Sequence, residues 1–172
     1  MTRTPAGMSA AGELKALLLR EPKLTLAVAE SLTAGNVQAR VAAVSGASNY
    51  FLGGITAYSL VQKVKHLGVD RAAAKRVNSV SAEVAGQMAR GACVLFGADV
   101  GLSTTGYAEP LTEEGVVHPF AWWALAHRQP RGKFTIRHGR VECPGCSRLE
   151  TQSIVADAAI AELVAWLEEI RG

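Results

Sequence analysis

Ser31, Tyr58 and Lys63 are the side chains in this sequence best suited to nucleophilic catalysis without histidine. An alcohol is a poor nucleophile until a neighbouring group takes its proton. A lysine whose ammonium is pushed out of water loses its own proton more readily and becomes a base for that step. Ser31 follows an apolar run that breaks off at Glu30, and Tyr58 closes a second such run. Ends of strands that turn sharply into helices are where α/β proteins gather exposed hydroxyls and backbone amides. Lys63 shares a helical face with Leu60, Val64 and Leu67, whereas Lys65 lies well around the helix. Lys63 is therefore expected to point with the apolar residues. Each residue also has a plainer reading. Ser31 and Thr33 can cap a helix whose first amides would otherwise hold a developing oxyanion. Lys63 can lay its stem on apolar surface and reach water with its head. Tyr58 can be a half-buried strand tyrosine, and Thr105 a turn residue rather than a hydroxyl donor.

The elements that must hold these residues follow from periodicity and punctuation. Leu14, Leu17 and Leu18 predict a helix over residues 8–20 with Pro22 after it, and residues 24–29 read as a buried strand. A helix is expected over 33–44, then a turn, then a strand over 50–58 whose Gly53-Gly54 pair marks a bulge or close backbone approach. Ser81 is the expected cap of a helix running through Met88 and Cys93 to Phe96, ended by Gly97. A strand over 99–104 follows, with strands over 121–126 and 134–137 forming a hairpin, and an amphipathic helix over 150–169. Residues 1–7 read as a flexible lead-in. The alternation makes a layered α/β domain with a mixed sheet.

At 172 residues the chain is expected to be one domain. Its 49% hydrophobic and 19% charged residues are those of a globular protein rather than a disordered one. The net charge of +3 is spread among acids rather than clustered, so nucleic acid is not the expected partner. No apolar run approaches the roughly 20 residues of a membrane span, and the first residues lack a signal core, so a cytoplasmic enzyme is expected. Three cysteines, an odd number, argue against a disulfide framework. Cys143-Pro-Gly-Cys146 is a single CxxC without a second pair, and His66, His118, His127 and His138 do not supply matching spacing, so no metal is expected.

Ala29-Glu30-Ser31-x-Thr33-x-Gly35, Tyr50-Phe51-x-Gly53-Gly54 and Ala57-Tyr58-Ser59 with Lys63 and Leu67-Gly68-Val69 resemble the CinA C-terminal domain family. So do Val80-Ser81-x-Glu83-Val84-Ala85, Met88-Ala89, Gly97-Ala98-Asp99 and Thr105-Gly106, in unbroken order from about residue 10 to the end. That family includes nicotinamide mononucleotide deamidases. The resemblance implies a three-layer α/β/α domain that hydrolyses the carboxamide of a small-molecule nucleotide without a cofactor or metal. It implies Ser31 as nucleophile, Lys63 as base and Tyr58 as relay or orienting partner. Thr33, Gly35, Thr105, Gly106 and Arg148 would bind substrate, and a homo-oligomer would be the working form. Two stretches depart from the pattern. Tyr107-Ala108-Glu109-Pro110-Leu111 replaces a Gly-Pro-Gly-Gly type loop, and Gln152 stands where a second arginine is expected. These leave a second reading open: a silent or substrate-shifted homologue that binds a nucleotide-like ligand or a protein partner.

Overall fold

Strand β1 (Leu26–Glu30) is buried along its whole length, so it needs a cover on both faces and a partner at both edges. In the computed structural model, which describes residues 10–172, it has all four. The expected lead-in lies outside the described residues. β2 (Phe51–Thr56) and β3 (Val100–Tyr107) flank β1 and run parallel to it. β3 then continues as an antiparallel meander through β4 (Phe120–Arg128) and β5 (Phe134–Glu142), giving the mixed order β2-β1-β3-β4-β5. The mouth of the β1–β3 pair is clasped by Thr25 and Asp99. Thr25 donates from its amide (2.8 Å) and hydroxyl (2.7 Å) to the Asp99 carboxylate, and the Asp99 amide donates back to the Thr25 hydroxyl at 3.0 Å.

Alternation along the strands assigns one helix layer to each face. Leu26, Val28, Val100 and Leu102 pack with Leu14 and Leu18 of α1 (Ala10–Leu19) and with Ile160 and Leu163 of α6 (Arg148–Arg171). α2 (Asn36–Ala42) completes that layer. Ala27 and Ala29 face the other way, onto Val84, Met88 and Ala92 of α5 (Ala82–Phe96), beside α3 (Leu60–Leu67) and α4 (Arg71–Arg76). The small residues on this second face let α5 lie close to the sheet. The result is the expected α/β/α sandwich.

The boundaries show where pattern and structure part. Pairing jumps from Leu26–Phe51 to Ala27–Gly53, so the bulge expected at the glycine pair falls at Leu52. β3 runs on to Tyr107, which puts Thr105 inside a strand rather than beyond its end. α4 had no apolar signal in its Arg-Ala-Ala-Ala-Lys-Arg sequence; Asp70 caps it by accepting from the Ala73 amide at 2.6 Å. α6 opens at Arg148 because Ser147 and Glu150 form a reciprocal capping box.

α2 starts at Asn36 rather than residue 33, because residues 31–34 are spent on a tight turn in which Ala34 has φ 49°. That left-handed conformation strains any residue with a Cβ by about 1–2 kcal/mol. Ala34→Gly should therefore raise the stability measured by urea denaturation by a few tenths to about 1 kcal/mol, the relief being partly offset by glycine's freer unfolded state. A loss of stability would mean that the Ala34 methyl packs to better effect than the strain it causes.

Candidate active site

After β1 the chain turns towards β2, and after β3 it turns towards β4, so the loops at these neighbouring strand ends diverge. The crevice they leave is where open α/β sheets bind ligands. Here it is a cavity of about 370 Å³ whose lining includes Ser31, Tyr58, Lys63, Ser79, Thr105, Glu109 and Arg148. Residues that lie 117 positions apart in sequence, Ser31 and Arg148, thus share one site.

Ser31 is seated by its neighbours on both sides. Its amide donates to the Thr104 carbonyl at 3.0 Å, which ties the end of β1 to β3. The preceding residue, Glu30, is fully buried, and its carboxylate accepts from the amides of Gly35 (3.0 Å), Val37 (3.0 Å) and Gln38 (2.9 Å). These are the amides at the start of α2 that sequence reasoning offered to an oxyanion. They are occupied, because a buried carboxylate at a helix N-terminus is itself the favourable partner. The amides of Leu32 and Thr33, directly after the serine, have no acceptor on the chain among the described residues.

Lys63 is 2% exposed, and its amine donates to Ser31 Oγ at 2.9 Å and to the Tyr58 carbonyl at 2.7 Å. Snorkelling is thereby excluded. Burial pushes its pKa from the ordinary 10.5 down to about 8. The helix that carries it is fixed at each end, by the Ser59 hydroxyl accepting from the Gln62 amide and by Gly68 in a left-handed C-cap. Its depth depends on α5. A Cβ at Gly91 would overlap the Leu67 carbonyl, so the glycine lets α3 sit backbone to backbone against α5 and bring Lys63 down to the serine.

Several expected roles change place. The Tyr58 side chain is 52% exposed, and its hydroxyl accepts from Arg148 Nη2 at 2.6 Å, so its carbonyl, not its phenol, orients Lys63. Thr33 is fully buried with its hydroxyl 2.7 Å from that of Thr104, and the Gly35 amide goes to Glu30. Neither Thr33 nor Gly35 lines the cavity; both brace the turn behind it. Thr105 and Gly106 do line it, and Thr105 donates its hydroxyl to the Ser79 carbonyl at 2.8 Å. Arg148 reaches across the mouth to Glu109 at 2.8 Å, while Gln152 is not in the lining.

Asn78 and Ser79 are cavity residues with consecutive left-handed φ values of 47° and 62°. Strain of this kind gathers at functional sites. Asparagine's tolerance of that region was the one available signal. Cys143 and Cys146 are free thiols in the turn before α6. Among the described residues no cluster of His, Cys, Asp or Glu is placed to hold a metal ion, and no helix is long and apolar enough to cross a membrane.

The fold and site define a three-layer α/β domain with a buried serine–lysine pair at the divergence of its central strands. The chain belongs to the CinA family: the model of the CinA C-terminal domain matches residues 9–167. A CinA-like protein of Chlorobium limicola is 37% identical over 157 residues, 90% of this chain and 36% of that protein. A CinA-like protein of Picosynechococcus is 42% identical over 125 residues, 71% of this chain and 30% of that protein. The chain thus spans about a third of the length of the curated relatives it matches. Among solved structures, a CinA superfamily protein from Enterobacter cloacae superposes with a TM-score of 0.81 at 26% identity, covering 97% of this chain and 98% of that one. One from Klebsiella pneumoniae, at 24% identity and a TM-score of 0.81 over 94% of this chain and 99% of its own, shares the fold.

The buried amine has a thermodynamic signature. Because its folded pKa of about 8 lies below the ordinary 10.5, the unfolded chain binds more protons between those values, and stability rises with pH across that window. The penalty of burying the ammonium is complete below about 8 and absent above 10.5. Lys63→Met should therefore raise stability by about 1–3 kcal/mol near neutral pH, and the gain should shrink towards about pH 10. Thermal unfolding of both proteins across that range checks it; a gain independent of pH would contradict it.

Proposed function

We propose that this domain is an amide hydrolase in which Ser31 attacks a carboxamide and Lys63 manages the proton. The observation that carries the reading is the 2.9 Å bond between the Lys63 amine and Ser31 Oγ, both out of water. With Lys63 neutral, the Ser31 hydroxyl proton passes to its amine as Oγ bonds to the carboxamide carbon. The lysine then returns that proton to the departing nitrogen. The C–N bond breaks, ammonia leaves, and an acyl ester remains on Ser31. Water gives a proton to the same amine as its oxygen bonds to the ester carbon; the C–O bond to Ser31 breaks, Lys63 returns that proton to Ser31 Oγ, and the acid leaves as its carboxylate after losing a proton to solvent. The amide of Leu32, a residue that lines the cavity and whose N–H has no acceptor on the chain among the described residues, is available to the oxyanion. Family resemblance points to a nicotinamide ring bearing the carboxamide, as in nicotinamide mononucleotide or a related amide with a different tail. An inert scaffold has no use for an amine buried at this cost, which weighs against a silent homologue.

Ammonia release from nicotinamide mononucleotide and from nicotinamide riboside tests the reading. Ser31→Ala and Lys63→Ala should each cut the rate by about 10³-fold or more while leaving the fold intact, since the two act as one unit. No release by wild type from either compound would overturn the hydrolase.

The pH profile is a separate check. In the free enzyme Lys63 acts as base only when neutral, so kcat/KM should rise with pH and level off above about 8. A profile flat through that region would remove Lys63 from the proton path.

A further inference from the structure

We infer that the tail end of this cavity takes an uncharged, hydroxyl-bearing group, a ribosyl without a phosphate, because both cations of its lining already serve the chain's own groups and a carboxylate stands beside the outer one. The inference rests on the amide-hydrolase reading only for the end of the ligand that reacts.

Among the described residues the cavity lining holds two cations, Lys63 and Arg148. Lys63 is committed to Ser31 and to the Tyr58 carbonyl. Arg148 is the remaining cation, and each of its two Nη atoms already gives one N–H to the chain. Nη1 donates to Glu109 Oε1 at 2.8 Å and Nη2 to the Tyr58 hydroxyl at 2.6 Å. A phosphate binds well to an arginine fork when it can have both prongs. Here it would share those nitrogens with Glu109 and Tyr58, and would lie beside the like charge of the Glu109 carboxylate.

Helix N-termini are the other common phosphate seats. The α2 amides are held by Glu30, the start of α3 is capped by Ser59, and α6 opens with the Ser147–Glu150 box. The loop at the rim gives no substitute nest. It reads Tyr107-Ala108-Glu109-Pro110-Leu111, and Pro110 has no amide to donate.

What the rim does offer is acceptors and donors for hydroxyls. Glu109 keeps Oε2 free of the chain, and the Tyr58 hydroxyl keeps its own proton to donate. A vicinal diol suits that arrangement, as carboxylates bind ribose hydroxyls in dinucleotide sites. The pair is exposed at the mouth, with side chains 44% and 62% accessible, so its own strength is modest. To a doubly charged phosphate the pair presents no net positive charge, since repulsion from Glu109 offsets the attraction of Arg148.

Calorimetric titration of the full chain carrying Ser31→Ala with nicotinamide riboside and with nicotinamide mononucleotide decides the matter, since the two differ only by the phosphate. At about 0.1 M salt the riboside should bind about tenfold more tightly. Adding Glu109→Gln, or Glu109→Ala as a second variant at this exposed position, should erase or reverse that ratio. Equal or tighter binding of the mononucleotide to the Ser31→Ala chain, a ratio unmoved by both Glu109 variants, or binding of neither compound would overturn the inference. Riboside binding with the expected preference, together with no ammonia release by wild type, would instead sink the hydrolase reading and leave the tail preference standing.

Discussion

An amine held out of water is the constraint around which this domain is arranged. Lysine does not stay in such a place on its own account, because desolvating its ammonium is unfavourable. It stays because α3 is fixed at both ends and seated against α5 at Gly91, with the amine between the Ser31 hydroxyl and the Tyr58 carbonyl. The sheet follows the same requirement from the other side. Ser31 must be rigid to meet the lysine, and the bond from its amide to Thr104 makes it an extension of the central strand pair.

Glu30 solves a second problem at the same point. The chain has to leave a fully buried strand and enter a helix within a few residues, which strands the helix's first amides without partners. The usual solution is a polar side chain at the cap position, but that position is Gly35, which has no side chain. Glu30 supplies the acceptor from the end of the strand and closes the turn back on itself. The serine is therefore presented by a braced loop and not by a helix end. Its neighbours Thr33 and Gly35 serve the brace, which explains why they stand beside the cavity without entering it.

Much of this was legible in the sequence where a single period or cap decides the outcome. The inward face of Lys63, the cap at Ser81, the stop at Gly97 and the bulge near Gly53 rest on local rules, and each appears in the structure. What could not be read depended on partners distant in sequence. The Tyr58 hydroxyl turns outward because Arg148 meets it there, 90 residues on. Glu109 reads as an isolated acid in a loop until the same arginine pairs with it. α4 was missed for a different reason. It is held by its Asp70 cap and carries no apolar stripe, so periodicity had nothing to detect.

The clasp between Thr25 and Asp99 bears on the order in which the molecule comes together. It joins positions 74 residues apart, and between them lie β2 and the helices α2 to α5. The β3–β4–β5 meander, by contrast, pairs strands that follow one another directly in the chain. Long closures cost more chain entropy than short ones and slow folding. The seat of Ser31 belongs to the long closure. The nucleophile's seat thus depends on the strand pairing with the longest loop to close, and the meander by itself cannot supply it.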